Sequence, residues 1–247
     1  MDKLLYISMT GASQNMNALA VRANNLANAK TDGFKADLNQ ARSMQAFGEG
    51  LPTRVFAMTE KPASDFKAGP VQTTGRDLDI AVKGEGWIAV QAADGSEAYT
   101  RSGALTVDAT GMLRNGRGDA VMGDNGPILL PLPISKVDIG SDGTISVRPQ
   151  GATPEVIDEV ARIKLVNPGN DNMMRGEDGL FRTMNGQPAL ADPTVNVING
   201  AVEGSNVSAV KEMVAMIDLQ RQFEMQVKMM KTAEDNDKAS ASLLRIS

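Results

Sequence analysis

The chain contains no cysteine and no histidine. Without histidine, Ser-His-Asp and Cys-His nucleophilic catalysis are excluded within this chain, and the usual zinc ligand sets cannot be assembled. The lack of cysteine assigns no compartment by itself. It does suit a chain that crosses compartments unfolded, where stray thiols would mispair. Aromatic residues make up only 4% of the 247 positions, so a large aromatic core is not expected. Basic residues are in deficit, 25 Lys and Arg against 30 Asp and Glu, which argues against a nucleic-acid partner. A long apolar run is missing too. Spanning a bilayer takes about 20 such residues, whereas the most apolar stretch, Pro127 to Ile134, is short and carries three prolines. The opening MDKLLYISM has too short an apolar run for a secretory signal, and a heptad pattern continues straight through it. Any export would have to read an uncleaved N-terminus.

That heptad pattern is the first positive signal. Leu5, Met9, Ala12, Met16, Leu19, Ala23 and Leu26 are spaced alternately four and three residues apart, an apolar seam with a 3.5-residue period. Lys30 falls in the last turn of the expected helix, and Gly33 is placed to end it in a left-handed conformation. A second helix is expected from about Asn206 to Ile246, a stretch without Gly or Pro, capped by Ser205 or Asn206. Met213, Met216, Gln220, Phe223, Val227 and Met230 continue the same rhythm, with Val210, Val214 and Ile217 widening the stripe.

Between the helices the texture changes. Short β-branched runs such as Leu78, Ile80, Val82 and Val137, Ile139, Ile145, Val147 are separated by Asp-Gly and Asn-Gly dipeptides. The expected fold class is therefore α+β. Residues 1–36 and 203–247 form long helices that pair as a coiled coil; 37–74 form an extended connector; 75–202 form an inserted antiparallel β-domain anchored by Trp87 and Tyr99. Two paired helices make a thin core, so their remaining apolar surface calls for other copies or partners. The ends are expected to order on assembly.

Three stretches carry a resemblance: ANNLANAKTDGFKA near the start, TTGRDLDIAVKGEGWIAVQ with AYTRSGALTVDATG in the middle, and EGSNVSAVKEMVAMIDLQRQFEMQVKMMK near the end. Together they identify the chain as similar to the axial rod and hook family of the bacterial flagellum. Length, the opening LLYISMTGASQ, Trp87 and RQFEMQVK make it look most like a proximal-rod member, with a distal-rod paralogue or a transient rod-assembly factor as alternatives. The resemblance implies a structural subunit exported unfolded through the flagellar type III apparatus. It implies polymerisation with copies of itself and other rod proteins in the periplasmic basal body, and torque transmission to the hook. It implies no enzymatic activity, no cofactor, no metal, no nucleic acid and no small-molecule substrate.

Asn24, Asn25 and Asn28 stand within five residues of a helix, where Asn is a poor former. A buried amide left unpaired costs about 1–3 kcal/mol and regains it only against a partner in register. The asparagines are therefore candidates for specifying packing between subunits or onto the connector. The local alternative is that Asn28 helps end the helix and the others are solvated. The candidate assembly surface thus comprises Leu5, Met9, Ala12, Met16, Leu19, Ala23, Asn24, Asn25, Leu26, Asn28, Gly33, Met213, Ile217, Phe223, Val227 and Met230. Other signals are weak. Arg117-Gly118-Asp119 reads as a turn rather than an adhesion motif. Asp77 and Asp79 share one face of an expected strand, and a glycosidase pair there would need an apolar pocket that the sequence does not show.

Overall fold

A computed structural model describes residues 3–39, 41–45, 55–59, 63–151 and 158–244. Parts of the expected connector, and residues 152–157 of the expected β-domain, lie outside these ranges. The described chain forms two compact units, one of residues 1–29, 36–65 and 207–247, the other of residues 30–35 and 66–206. The backbone therefore passes from one to the other four times.

The first unit is built on α1, Lys3–Ala27, and α2, Ala209–Leu244. At 1.5 Å per residue they measure about 38 and 54 Å. The two pack on each other, and they run antiparallel, since Arg22 meets Glu212 while Gly11 meets Gln226. α1 stops at the asparagines. The Asn28 side-chain amide donates to the Asn24 carbonyl at 3.0 Å, and the Asn28 backbone N–H is shared between the Asn24 and Asn25 carbonyls. This competition for backbone acceptors is the usual reason Asn ends helices. α2 begins after Ser208, so Ser205 and Asn206, the expected caps, precede it by several residues. A hairpin of Ala41–Gln45 with Val55–Thr59 lies against α1, and Asp37–Leu38 pairs with Ala63–Ser64.

The second unit is antiparallel β throughout its described pairings. Its main sheet has nine strands: Met173–Arg175, Phe181–Thr183, Glu97–Thr100, Trp87–Gln91, Ala120–Gly123, Leu113–Asn115 and Leu105–Val107 in spatial order. Leu165–Val166 and Gly126–Pro127 add to its middle. Ile134–Ile139, Thr144–Pro149 and Asp158–Arg162 form a three-stranded sheet. Two pairs complete it, Ile80–Lys83 with Asn196–Asn199 and Val71–Thr73 with Ala201–Glu203. The Ser141-Asp142-Gly143 turn joins its hairpin as the sequence predicts. Gly143 takes φ 84°, and Asp142 accepts from the Thr144 N–H and hydroxyl.

The core is mainly aliphatic, around Ile80, Ile88, Leu105, Leu113, Ile145 and Ile163. A smaller aromatic cluster gathers round Trp87, whose ring lies 4.7 Å from Phe181 and 5.8 Å, edge on, from Phe66. Tyr99 is buried beside it, and burial pushes its hydroxyl pKa up to about 12. Arg117-Gly118-Asp119 is a tight turn held by the Asn115 carboxamide, which accepts from the Arg117 and Asp119 N–H groups. Asp77 and Asp79 do not lie together on a strand. Asp77 is exposed in a turn, while Asp79 is buried, accepts the Thr74 hydroxyl at 2.6 Å and lies 3.5 Å from Arg76.

Candidate assembly site

Within the first unit, the two helices bury a stripe one position away from the most apolar one. On α1 the packed residues include Ser8, Ala12, Asn15, Leu19, Arg22 and Leu26; on α2 they include Glu212, Met216, Leu219, Phe223, Gln226 and Met230. Both sets keep the alternating four-and-three spacing. Ala12, Leu19, Leu26, Phe223 and Met230 of the apolar seam are thus buried or half-buried. Leu5, Met9, Met16, Ala23, Met213, Ile217 and Val227 are exposed. Met9, Met16 and Ile217 keep 54%, 53% and 50% of their surface open.

Two contacts explain the choice. The Arg22 guanidinium reaches both Glu212 carboxylate oxygens, at 3.1 and 3.2 Å. The absent side chain of Gly11 makes room for the end of Gln226, which a Cβ would meet at 3.1 Å.

The asparagines divide by position. Asn25 is fully buried. Its Nδ2 donates to the Asp37 carbonyl at 2.9 Å, and its Oδ1 accepts the Asp37 N–H at 2.8 Å. One side chain thereby satisfies both backbone groups of a residue twelve positions on, holding the chain after α1 back against the helix. Asn24 is exposed and Asn28 half-buried, bonded locally at the helix end.

Gly33 lies six residues beyond the last residue of α1, within the second unit, rather than at the helix end. Its φ is 69°, and a Cβ there would come within 2.2 Å of the Ser102 nitrogen, so only glycine fits. Its N–H donates to the Glu203 carbonyl at 2.6 Å.

The Glu203 side chain is the centre of a buried ion cluster. Its Oε1 accepts from Lys35 Nζ at 2.7 Å and from the Gly69 N–H at 2.9 Å; its Oε2 accepts from Arg101 Nη1 at 2.9 Å. Lys35 also donates to the Lys67 carbonyl at 2.8 Å, and Arg101 to the Gly84 carbonyl at 2.8 Å, with its guanidinium 5.4 Å from the centre of the Trp87 ring. All three side chains are more than nine-tenths buried. Burial by itself would raise the Glu203 carboxyl. The Lys35 hydrogen bond, the Arg101 charge and the Gly69 N–H outweigh it and hold the pKa below its ordinary 4.5. Arg101 Nε has no partner among the described residues, so the cluster's hydrogen bonding is incomplete on its cationic side.

Lys35, Arg101, Glu203, Arg22 and Glu212 are absent from the sequence-derived candidates. A signal was present for two of them: Lys35 stands next to last in ANNLANAKTDGFKA, and Glu203 opens EGSNVSAVKEMVAMIDLQRQFEMQVKMMK directly after Ala201 and Val202.

Three family descriptions match along the chain. They are "Flagella basal body rod protein" over residues 5–35, "Flagellar hook protein FlgE/F/G D1 domain" over 81–147 and "Flagellar basal body rod FlgEFG protein C-terminal" over 198–243. The flagellar basal-body rod protein FlgF of Escherichia coli (strain K12) is 43% identical over 253 aligned residues, covering 100% of both chains. The chain belongs to the FlgF family of flagellar basal-body rod proteins.

FlgF of Salmonella typhimurium is 41% identical, again over the whole of both chains. FlgG of Agrobacterium fabrum is more distant, 30% identical over 94% of this chain and 96% of its own. The first and last FlgF-family stretches are the ones the second unit ties together, since Gly33 and Lys35 lie in one and Glu203 in the other.

Proposed function

We propose that the chain is a structural subunit of the flagellar basal-body rod, in its proximal part, polymerising into the shaft that transmits torque to the hook. The observation that carries this reading is the exposed apolar stripe on a two-helix unit. Leu5, Met9, Met16, Met213, Ile217 and Val227 are large or medium side chains left in water by the pairing of α1 with α2. Burying one such side chain is worth about 1.5–3 kcal/mol. Contiguous stripes of this kind mark interaction surfaces. Its relatives are named as basal-body rod proteins, which supports copies of this chain and other rod or hook components as the partners of the stripe.

The same reading places the chain in the periplasmic rod, delivered unfolded by the flagellar export apparatus, and assigns it no catalytic activity. The lack of histidine and cysteine supports the last point.

Met9→Asp and Ile217→Asp, made singly, test the proposal. Both sites are already exposed, so the isolated chain should keep its helical content by circular dichroism while basal bodies purified from a strain carrying the variant lack it. Normal incorporation and motility with both variants would refute the assignment of the stripe.

A further inference from the structure

The two helices of the first unit are far apart in sequence, and the second unit contains an arrangement that removes that distance. From Ala27, the last residue of α1, to Ala209, the first of α2, the chain takes 182 residues. Within the second unit, however, the segment after α1 and the segment before α2 are fastened together. The Asn206 N–H donates to the Phe34 carbonyl at 3.3 Å, the Gly33 N–H to the Glu203 carbonyl at 2.6 Å, and Lys35 Nζ to the Glu203 carboxylate at 2.7 Å. The stretch that re-enters this unit at Phe66 joins them through Lys67, whose carbonyl accepts from both Lys35 Nζ at 2.8 Å and the Asn206 side-chain amide at 3.1 Å. Through the Phe34–Asn206 bond the path counts seven residues from Ala27 to Phe34 and three from Asn206 to Ala209, about ten in all.

We infer that Lys35, Glu203 and Arg101 are positioning residues for the α1–α2 pair: they close a clamp that shortens the tether between the helices to about ten residues. Since residues 66–206 are folded, the tether released without the clamp is the stretch from Ala27 to Phe66, about 40 residues. Loop-closure probability falls as the three-halves power of tether length, so the clamp raises the effective concentration of α1 for α2 roughly tenfold. The charges suit this task. A buried ion cluster is weak as a source of net stability but demanding in geometry, because one misplaced partner leaves an uncompensated charge. Lys35 and Glu203 therefore fix which two segments meet. The inference concerns the isolated chain and stands whether or not that chain enters a rod.

The chain has no cysteine, so Ala12→Cys, at a site 7% exposed on the helix pair, introduces a single thiol whose protection from a labelling reagent reports how often α1 and α2 separate. Measured on the full chain, protection should fall roughly threefold when ten Gly/Ser residues are inserted between Asn206 and Val207, which doubles the short path. The same insertion in the Asp94-Gly95 turn should change nothing. Without the clamp both insertions would be nearly silent, and that result overturns it, as does a thiol with no protection in the parent chain. Lys35→Met removes the ion-pair arm and leaves the Gly33–Glu203 and Asn206–Phe34 backbone bonds. It should therefore lower protection by a factor between one and the roughly tenfold of a segment released as far as Phe66, while the Trp87 fluorescence stays that of a buried indole. Unchanged protection with Trp87 still buried refutes the role of the ion cluster. Should Lys35→Met unfold the second unit, the pair of insertions decides alone.

Discussion

Replacing Asn25 by Ala would remove both of its side-chain bonds to the Asp37 backbone. The expected cost is about 1–3 kcal/mol, read as a lower denaturant midpoint of the helical signal. Asn24→Ala, at an exposed position on the same turn, should stay within about 0.5 kcal/mol. Glu203→Gln is the harsher change, because Lys35 and Arg101 remain buried with no counter-charge. Breaking such a pair typically costs about 3–5 kcal/mol, which Trp87 fluorescence would report during chemical denaturation. The pH dependence follows from the depressed carboxyl of Glu203. Its stabilising contribution is fully present above its ordinary value of 4.5 and is lost as pH falls through the lower folded value. The wild-type second unit should therefore weaken on acidification below that point, and Glu203→Gln should show a shallower acid slope. Equal slopes would mean that other carboxylates dominate.

Elements show why helix phase matters. A seam read from apolar size alone passes through Met9, Met16 and Ala23, yet α1 packs through Ser8, Asn15 and Arg22. Both readings satisfy a 3.5-residue period, since they share Ala12, Leu19 and Leu26 and differ by one position between them. Arg22 and Glu212 select the observed phase through a part-exposed ion pair. Arg22→Glu should therefore lower the helical melting midpoint, and adding Glu212→Arg should recover most of the loss. At this exposure the coupling is at most about 1 kcal/mol, measurable by a double-mutant cycle. A cycle with no coupling would hand the phase to Gly11 and the asparagines instead. The polar choice leaves the large apolar side chains facing outward, which is what a subunit with further neighbours requires.

At the scale of the whole molecule, the division between units does not follow the division between helix and sheet. Residues 30–35 lie in the second unit although they continue the N-terminal segment. Deleting residues 1–29 should leave a folded, monomeric β-rich protein with Trp87 buried. Deleting residues 1–35 removes Gly33, Phe34 and Lys35 as well, and should cost a further ~1–3 kcal/mol, because Glu203 loses the Lys35 and Gly33 donors while keeping Arg101 and the Gly69 N–H. Two truncations of equal stability would show that the N-terminal segment contributes nothing to the second unit.

The two long helices, the strand-rich middle, the hairpin at Asp142-Gly143 and the family itself are all legible in the sequence, because propensity, periodicity and turn chemistry act over a few neighbouring residues. Gly33 was recognisable as a glycine needing a left-handed backbone, but not the reason, which is the close approach of Ser102. The face each helix buries, the grip of Asn25 on Asp37 and the meeting of Lys35 with Glu203 across 168 positions were decided only by the tertiary structure. No local preference encodes them: a charge goes into the interior only where the fold brings it an opposite charge and enough donors to replace water.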